Sequence, residues 1–133
     1  MSVVFADTVG LLALWDQSDQ WHAAAAAAFD KLVRARERVT TTSFVLLECA
    51  NAAARKSYRR AVNDLRIRLE AHKLLITPSD ADWHAAWAEY GGRETGDAGI
   101  VDHISFVTMR RLGIQRAFTN DRHFRAAGFE ILF

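Results

Sequence analysis

The chain has 133 residues, half of them hydrophobic and 25% charged, a composition that excludes a disordered chain and gives enough apolar material for a buried core. With 17 Lys and Arg against 16 Asp and Glu, the formal net charge is +1, so any binding of nucleic acid has to come from local patches rather than global charge. No stretch approaches 18 uninterrupted apolar residues, and the N-terminus lacks the charged and apolar regions of a signal peptide, so the expectation is a cytoplasmic protein that forms one domain over residues 1–133, with no membrane role.

Val3 to Ala6 are a continuous β-branched and aromatic run, the pattern of a short strand buried on both faces of a parallel sheet. A helix is expected from about Thr8 to Trp15, then a turn over Asp16 to Asp19. The alanine-rich run from Trp21 to Glu37 has very high helix propensity and becomes basic toward its C-terminal end, where the macrodipole favours cations. Arg38 to Thr42 read as a second strand, with Ser43 as N-cap of the helix that carries "FVLLECANAAARK". Cys49 lies in that helix and is the only cysteine, so an internal disulfide and a cysteine-built metal site are both excluded. "RKSYRR", residues 55–60, is expected to continue the same helix and is the best local basic patch for phosphate contact.

Another helix is expected from about Ser57 to Glu70, and Lys73 to Thr77 read as a third strand stopped by Pro78. Ser79 to Asp82 start a helix with Trp83 and Trp87 on one face, read as core or packing residues rather than a base-stacking platform. "GGRETGDAG", residues 91–99, is loop-like, with four glycines in nine residues. "IVDHISFVTMRRLG" is a helix with Arg110 and Arg111 in its last turn and Gly113 as C-cap. "IQRAFT" and "FEILF" are expected as fourth and fifth strands. Strands alternating with helices point to an α/β fold around a mainly parallel sheet.

Four acids fall at element ends. Asp7 ends the first strand and Asp121 follows the fourth, while Glu48 and Asp102 lie near the starts of helices at the same sheet edge. Parallel sheets bind ligands at that edge, near the point where strand order reverses. Each acid alone could be a cap, a turn residue or a solvated helix residue. Gathered together they raise one another's pKa unless something positive neutralises them, and the chain offers only Lys31, Lys56 and Lys73 as lysines. A hard divalent cation is the natural partner.

In this order and spacing the four motifs resemble those of the PIN-domain nucleases, and among them the VapC-type toxins of bacterial toxin–antitoxin pairs. "FADTVGLLAL" is similar to the opening motif, with Asp7 and its neighbour Thr8. "VTTTSFVLLECANAA" is similar to the second, with Glu48 and, a turn later, Asn51. "GIVDHISFVTMRRLGI" is similar to the third, with Asp102 and Ser105, and "AFTNDRHFRAAGFEIL" to the last, with Thr119 and Asp121. Gly99 stands where the third motif commonly has a hydroxyl residue, His103 where a small residue is usual, and Asn120 where an apolar one is common.

The resemblance implies a three-layer α/β/α sandwich with a central, mainly parallel sheet of about five strands. It implies a Mg²⁺- or Mn²⁺-dependent endoribonuclease, the toxin of a pair inhibited by a cognate antitoxin and acting as a homodimer. Asp7, Glu48, Asp102 and Asp121 would be the catalytic carboxylates. Asp7 and Asp102 would bind the metal, with Glu48 and Asp121 acting through water or a second ion, and Thr8, Asn51, Ser105 and Thr119 would support them. His103 and His123 lie beside the acids and stay outside the catalytic set. Two alternatives keep their place: a housekeeping RNA-maturation or structure-specific DNA nuclease of the same fold, and a non-catalytic RNA-binding or interaction module. A phosphoaspartyl protein loses on residues, since Val9 occupies the place of a second Asp and no lysine follows Lys73.

Overall fold

The computed structural model describes residues 2–92 and 96–133. The chain runs β1 (Val3–Ala6), α1 (Thr8–Trp15), α2 (His22–Arg34), β2 (Arg38–Thr42), α3 (Ser43–Ala52), α4 (Arg59–Ala71) and β3 (Leu75–Ile76). It continues with α5 (Asp80–Tyr90), α6 (Ile100–Leu112), β4 (Arg116–Phe118), α7 (Arg122–Ala126) and β5 (Glu130–Ile131). The glycine-rich loop expected over residues 91–99 falls partly outside the described residues, at 93–95. The five strands form one sheet in the order β3-β2-β1-β4-β5, and every pairing is parallel. Helices cover both faces, giving the expected three-layer α/β/α sandwich.

The sheet is parallel because its central strands are apolar on both sides. Val4, Phe5 and Ala6 of β1 and Ala117 and Phe118 of β4 are wholly buried. After β1 the chain builds outward through β2 and β3, then returns to place β4 on the other side of β1. Strand order therefore reverses between β1 and β4, which opens a crevice at their carboxyl ends.

Three buried threonines close β2 without orphaned hydroxyls. Thr40 donates to the carbonyl of Leu74, and Thr41 donates to the carbonyl of Ala6 at 2.6 Å. The third, Thr42, is the N-cap of α3, accepting from Val45 N–H at 3.2 Å. The cap thus sits one residue before the expected Ser43, because Thr42 keeps extended backbone (ψ 160°) while its hydroxyl already faces the helix. Strand and helix join with no loop between them.

Two expectations are corrected by the packing. The α3 helix ends at Ala52, and buried Ala53 begins a run of turns, so "RKSYRR" spans that turn and the start of α4 instead of prolonging α3. Trp83 and Trp87 are 40% and 42% exposed rather than buried. The inward face of α5 is carried by Ala86 and Asp82. Trp83 meets Trp87 edge-on at 5.7 Å and packs, tilted, on Phe44 at 5.8 Å between ring centroids, so the packing half of the expectation holds.

Asp82 ties α5 to α6. It completes a capping box with Ser79 and also accepts two bonds, each 2.8 Å, from the Arg111 guanidinium. That fork holds its carboxyl below the usual Asp range. The C-terminal end of α6 is closed by Gly113 in the left-handed region at φ 70°, as its position after Arg110 and Arg111 predicts.

At Gly10, α1 sits directly against the backbone of β4. A Cβ on Gly10 would overlap the backbone carbonyl of Phe118, which cannot move without breaking the β1–β4 pairing. Gly10→Ala is therefore expected to destabilise the protein by about 3 kcal/mol, the upper part of the range for overpacking. Chemical denaturation measures this, and a loss under about 1 kcal/mol would mean that α1 can slide off the strand.

Candidate metal centre

Asp7 is both a cap and a buried charge. Its backbone is extended (ψ 159°), and Oδ2 accepts from Val9 N–H at 3.4 Å, so it is the N-cap of α1. The residue is only 1% exposed, and the same oxygen accepts from the Thr119 hydroxyl at 3.0 Å. Burial pushes its carboxyl up to about 7, and the negative charges of Asp102 and Asp121 add to the shift. The Thr119 hydroxyl and the Thr8 backbone offset only part of it.

Asp102 lies in the first turn of α6, whose N-terminus reaches the carboxyl edge of the sheet because α6 runs back before β4. Its carboxyl is raised to about 6, first by burial, then by Asp121 and Glu48. Asp121 is the N-cap of α7, accepting from His123 N–H at 2.9 Å. Its own N–H donates to Thr119 Oγ1 at 3.0 Å. Thr119 is thus a pivot: it donates to Asp7 and accepts from Asp121, fixing the distance between two strand ends.

Glu48 is placed differently. It is exposed on α3, and its Oε1 accepts from the Thr8 hydroxyl at 2.6 Å, which brings it to the residue beside Asp7. The supporting residues divide. Thr8 and Thr119 bond carboxylates, whereas the Ser105 hydroxyl donates to the Val101 carbonyl at 3.0 Å and Asn51 is exposed on the last turn of α3. His103 is buried in a stack of rings, edge-on to Tyr90 and Phe106. Cys49 is buried and its thiol is pushed up to about 12, which removes it as a nucleophile.

The donor set fits a divalent cation. Ligand atoms of Asp102, Asp121 and His123 lie within 4.8 Å of one another. Among the described residues, no Lys or Arg forms an ion pair with any of the four acids. Repulsion that raises Asp7 and Asp102 is what a cation would relieve. His123 is the residue that motif reading left outside the set. The available signal was its place two residues after an acid that caps a helix, which folds the ring back to 2.8 Å from Asp121 Oδ1. The short α7 itself was also not foreseen.

The sheet order reverses beneath a group of carboxylates, of which Asp7 is buried and Asp102 and Asp121 are partly so. The family model for the PIN domain matches residues 4–130, and the chain belongs to that family, whose members are hydrolytic nucleases. Among solved structures it is similar to VapC20 of Mycobacterium tuberculosis, a sarcin-ricin loop cleaving toxin, at 29% identity and a TM-score of 0.76, over 96% of each chain. It also shares its fold with FitAcB from Neisseria gonorrhoeae, at 15% identity and a TM-score of 0.67, over 98% of this chain and 96% of that one. A third likeness is to FitAB bound to an IR36 DNA fragment, at 15% identity and a TM-score of 0.64, over 96% and 92%. No curated protein matches the chain in sequence. Among the described residues no helix is long and apolar enough to cross a membrane.

Asp7 titrates at 3.8 in its ordinary state and at about 7 in the fold. Between those values the native protein holds more protons than the unfolded chain, so the stability of the metal-free protein falls as pH rises through that window. Thermal unfolding in chelator should show Tm dropping between about pH 4 and about pH 7. Asp7→Asn should flatten the drop; an equally steep slope in that variant would assign the effect to other groups.

Proposed function

We propose that this protein is the toxin of a toxin–antitoxin pair, a divalent-metal-dependent endoribonuclease that acts in the cytoplasm as a homodimer and is inhibited by a cognate antitoxin. The observation that carries the reading is the convergence of Asp7, Asp102 and Asp121 at the β1/β4 reversal, where Thr119 bonds both Asp7 and Asp121 and, among the described residues, no Lys or Arg pairs with any of the three. Likeness to a sarcin-ricin loop cleaving toxin over 96% of both chains supports RNA as substrate and the toxin role. The two FitAB likenesses, at 15% identity, support the fold alone.

In this reading Asp102 and Asp121 hold the cation, and Asp7 faces it from the floor of the crevice. A bound divalent ion would lower the pKa of water and offset charge on the phosphodiester oxygens. Thr119 ties the Asp7 carboxylate to the Asp121 backbone, and His123 N–H holds the Asp121 carboxylate, so neither has to reorganise when substrate arrives. Exposed Glu48, oriented by Thr8, stands at the mouth of the site, where an RNA backbone can approach and water can be ordered. A groove lies between α3 and α4, lined by Leu46, Leu47 and Ala50 of α3 and by Arg59, Arg60 and Arg66 of α4. Its guanidinium groups suit phosphates, and its apolar stretch suits unstacked bases.

RNA cleavage in Mg²⁺ or Mn²⁺ tests the assignment directly. Asp7→Asn and Asp102→Asn keep size and remove charge, and each should lower cleavage by about 100-fold or more, the scale of losing one well-placed electrostatic group. Activity equal to wild type would sink the carboxylate assignment, cleavage in EDTA would sink the metal, and cleavage of DNA alone would replace the RNA reading. For the groove, Arg60→Ala should weaken binding to an uncleavable RNA across sequences alike. The slope of log affinity against log salt should become shallower by about 0.7 to 1, the value of one phosphate contact. An unchanged slope would place the RNA elsewhere.

A further inference from the structure

We propose that His123 is a direct ligand of the metal, making the site an O,O,N set with Asp102 and Asp121 that selects a divalent first-row transition ion over Mg²⁺. This rests on the metal-dependent nuclease reading above and adds to it the class of ion.

The starting point is chemical. A site made only of carboxylates suits Mg²⁺, which takes oxygen ligands and keeps several waters. An imidazole nitrogen shifts preference toward transition ions, whose affinity for nitrogen rises from Mn²⁺ through Fe²⁺ and Co²⁺. In this protein a ligand atom of His123 lies within 4.8 Å of those of both Asp102 and Asp121. The three residues come from two separate parts of the chain, the first turn of α6 and the start of α7.

The position of the ring is built in. Asp121 caps α7, so His123 N–H is tied to Asp121 Oδ1 at 2.9 Å and Nδ1 lies 2.8 Å from the same oxygen. The next residue, Phe124, is wholly buried and packs on Phe106 of α6 at 4.9 Å between ring centroids. That contact locks α7 to the helix that carries Asp102. One ring nitrogen and two carboxylates are thereby held in a cluster by the core, with the His123 side chain one-third exposed and open to an ion from solvent. In a purely structural role the ring would only brace Asp121, and the ion would feel oxygen alone.

The two roles separate by spectroscopy on tag-free protein loaded with Mn²⁺. Pulsed electron paramagnetic resonance should show coupling of the Mn²⁺ electron spin to a histidine nitrogen, absent in His123→Gln. Titration calorimetry should show Mn²⁺ affinity falling about tenfold in that variant, while Mg²⁺ affinity changes by less than about threefold. His123→Asp, which offers oxygen in place of nitrogen, should bind both ions without the nitrogen signal and with a smaller preference for Mn²⁺. Thermal unfolding confirms that each variant is folded. Mn²⁺ bound with no nitrogen coupling in the wild type, or equal losses of Mn²⁺ and Mg²⁺ in His123→Gln, would overturn the ligand role and leave the nuclease reading standing. No binding of either ion would overturn both.

Discussion

Mutual repulsion among carboxylates held in a partly buried crevice is the constraint around which the rest of this molecule is arranged. Asp7 is almost wholly buried and Asp102 largely so, and each is raised by the presence of other acids. Burying like charges without a counterion opposes folding, so the surrounding structure has to hold them there by force of packing. The apolar strands β1 and β4, the close seating of α1 on Phe118 and the hydroxyl of Thr119 provide that hold. A cation bound at such a site would relieve that repulsion.

Position and chemistry follow from one topological event. The chain adds β2 and β3 on one side of β1 and then crosses to place β4 on the other. That reversal brings Asp7 and Asp121, more than a hundred residues apart in sequence, to neighbouring strand ends. It also turns the N-terminus of α6 toward the same edge, which delivers Asp102. On the far side of α6, the Asp82–Arg111 fork clamps α5 and steadies the helix whose first turn carries the acid. Stability elements and chemical elements are therefore different ends of the same helices.

Capping a helix and facing the carboxylate cluster are compatible roles for one side chain. Asp7 caps α1 and Asp121 caps α7, yet both carboxylates also face the crevice. An Asp at a strand-to-helix junction meets free N–H groups on one side and the open end of the sheet on the other. The local reading and the functional reading describe two faces of the same group.

Much was legible from residue order because it depends on local pattern. The apolar runs at Val3–Ala6 and Arg116–Phe118 specify buried parallel strands, Ser79 specifies a helix start, and Gly113 specifies a helix end. Four acids at one edge were likewise readable, since each follows or precedes an element whose direction is known. What could not be read depends on which face a side chain meets. Glu48 and the two tryptophans sit in apolar-looking stretches but point outward, because the buried face of α3 is filled by Val45, Leu46 and Cys49 and that of α5 by Asp82 and Ala86. Ser105 bonds its own helix, and His123 folds back on Asp121 through a five-residue helix too short to announce itself. The sequence by itself determined the elements, their alternation and the acids at their ends, since these rest on propensity and spacing along the chain. Only the tertiary structure decided which acids become buried, which hydroxyls reach them and which histidine joins them, since burial and repulsion are properties of neighbours in space.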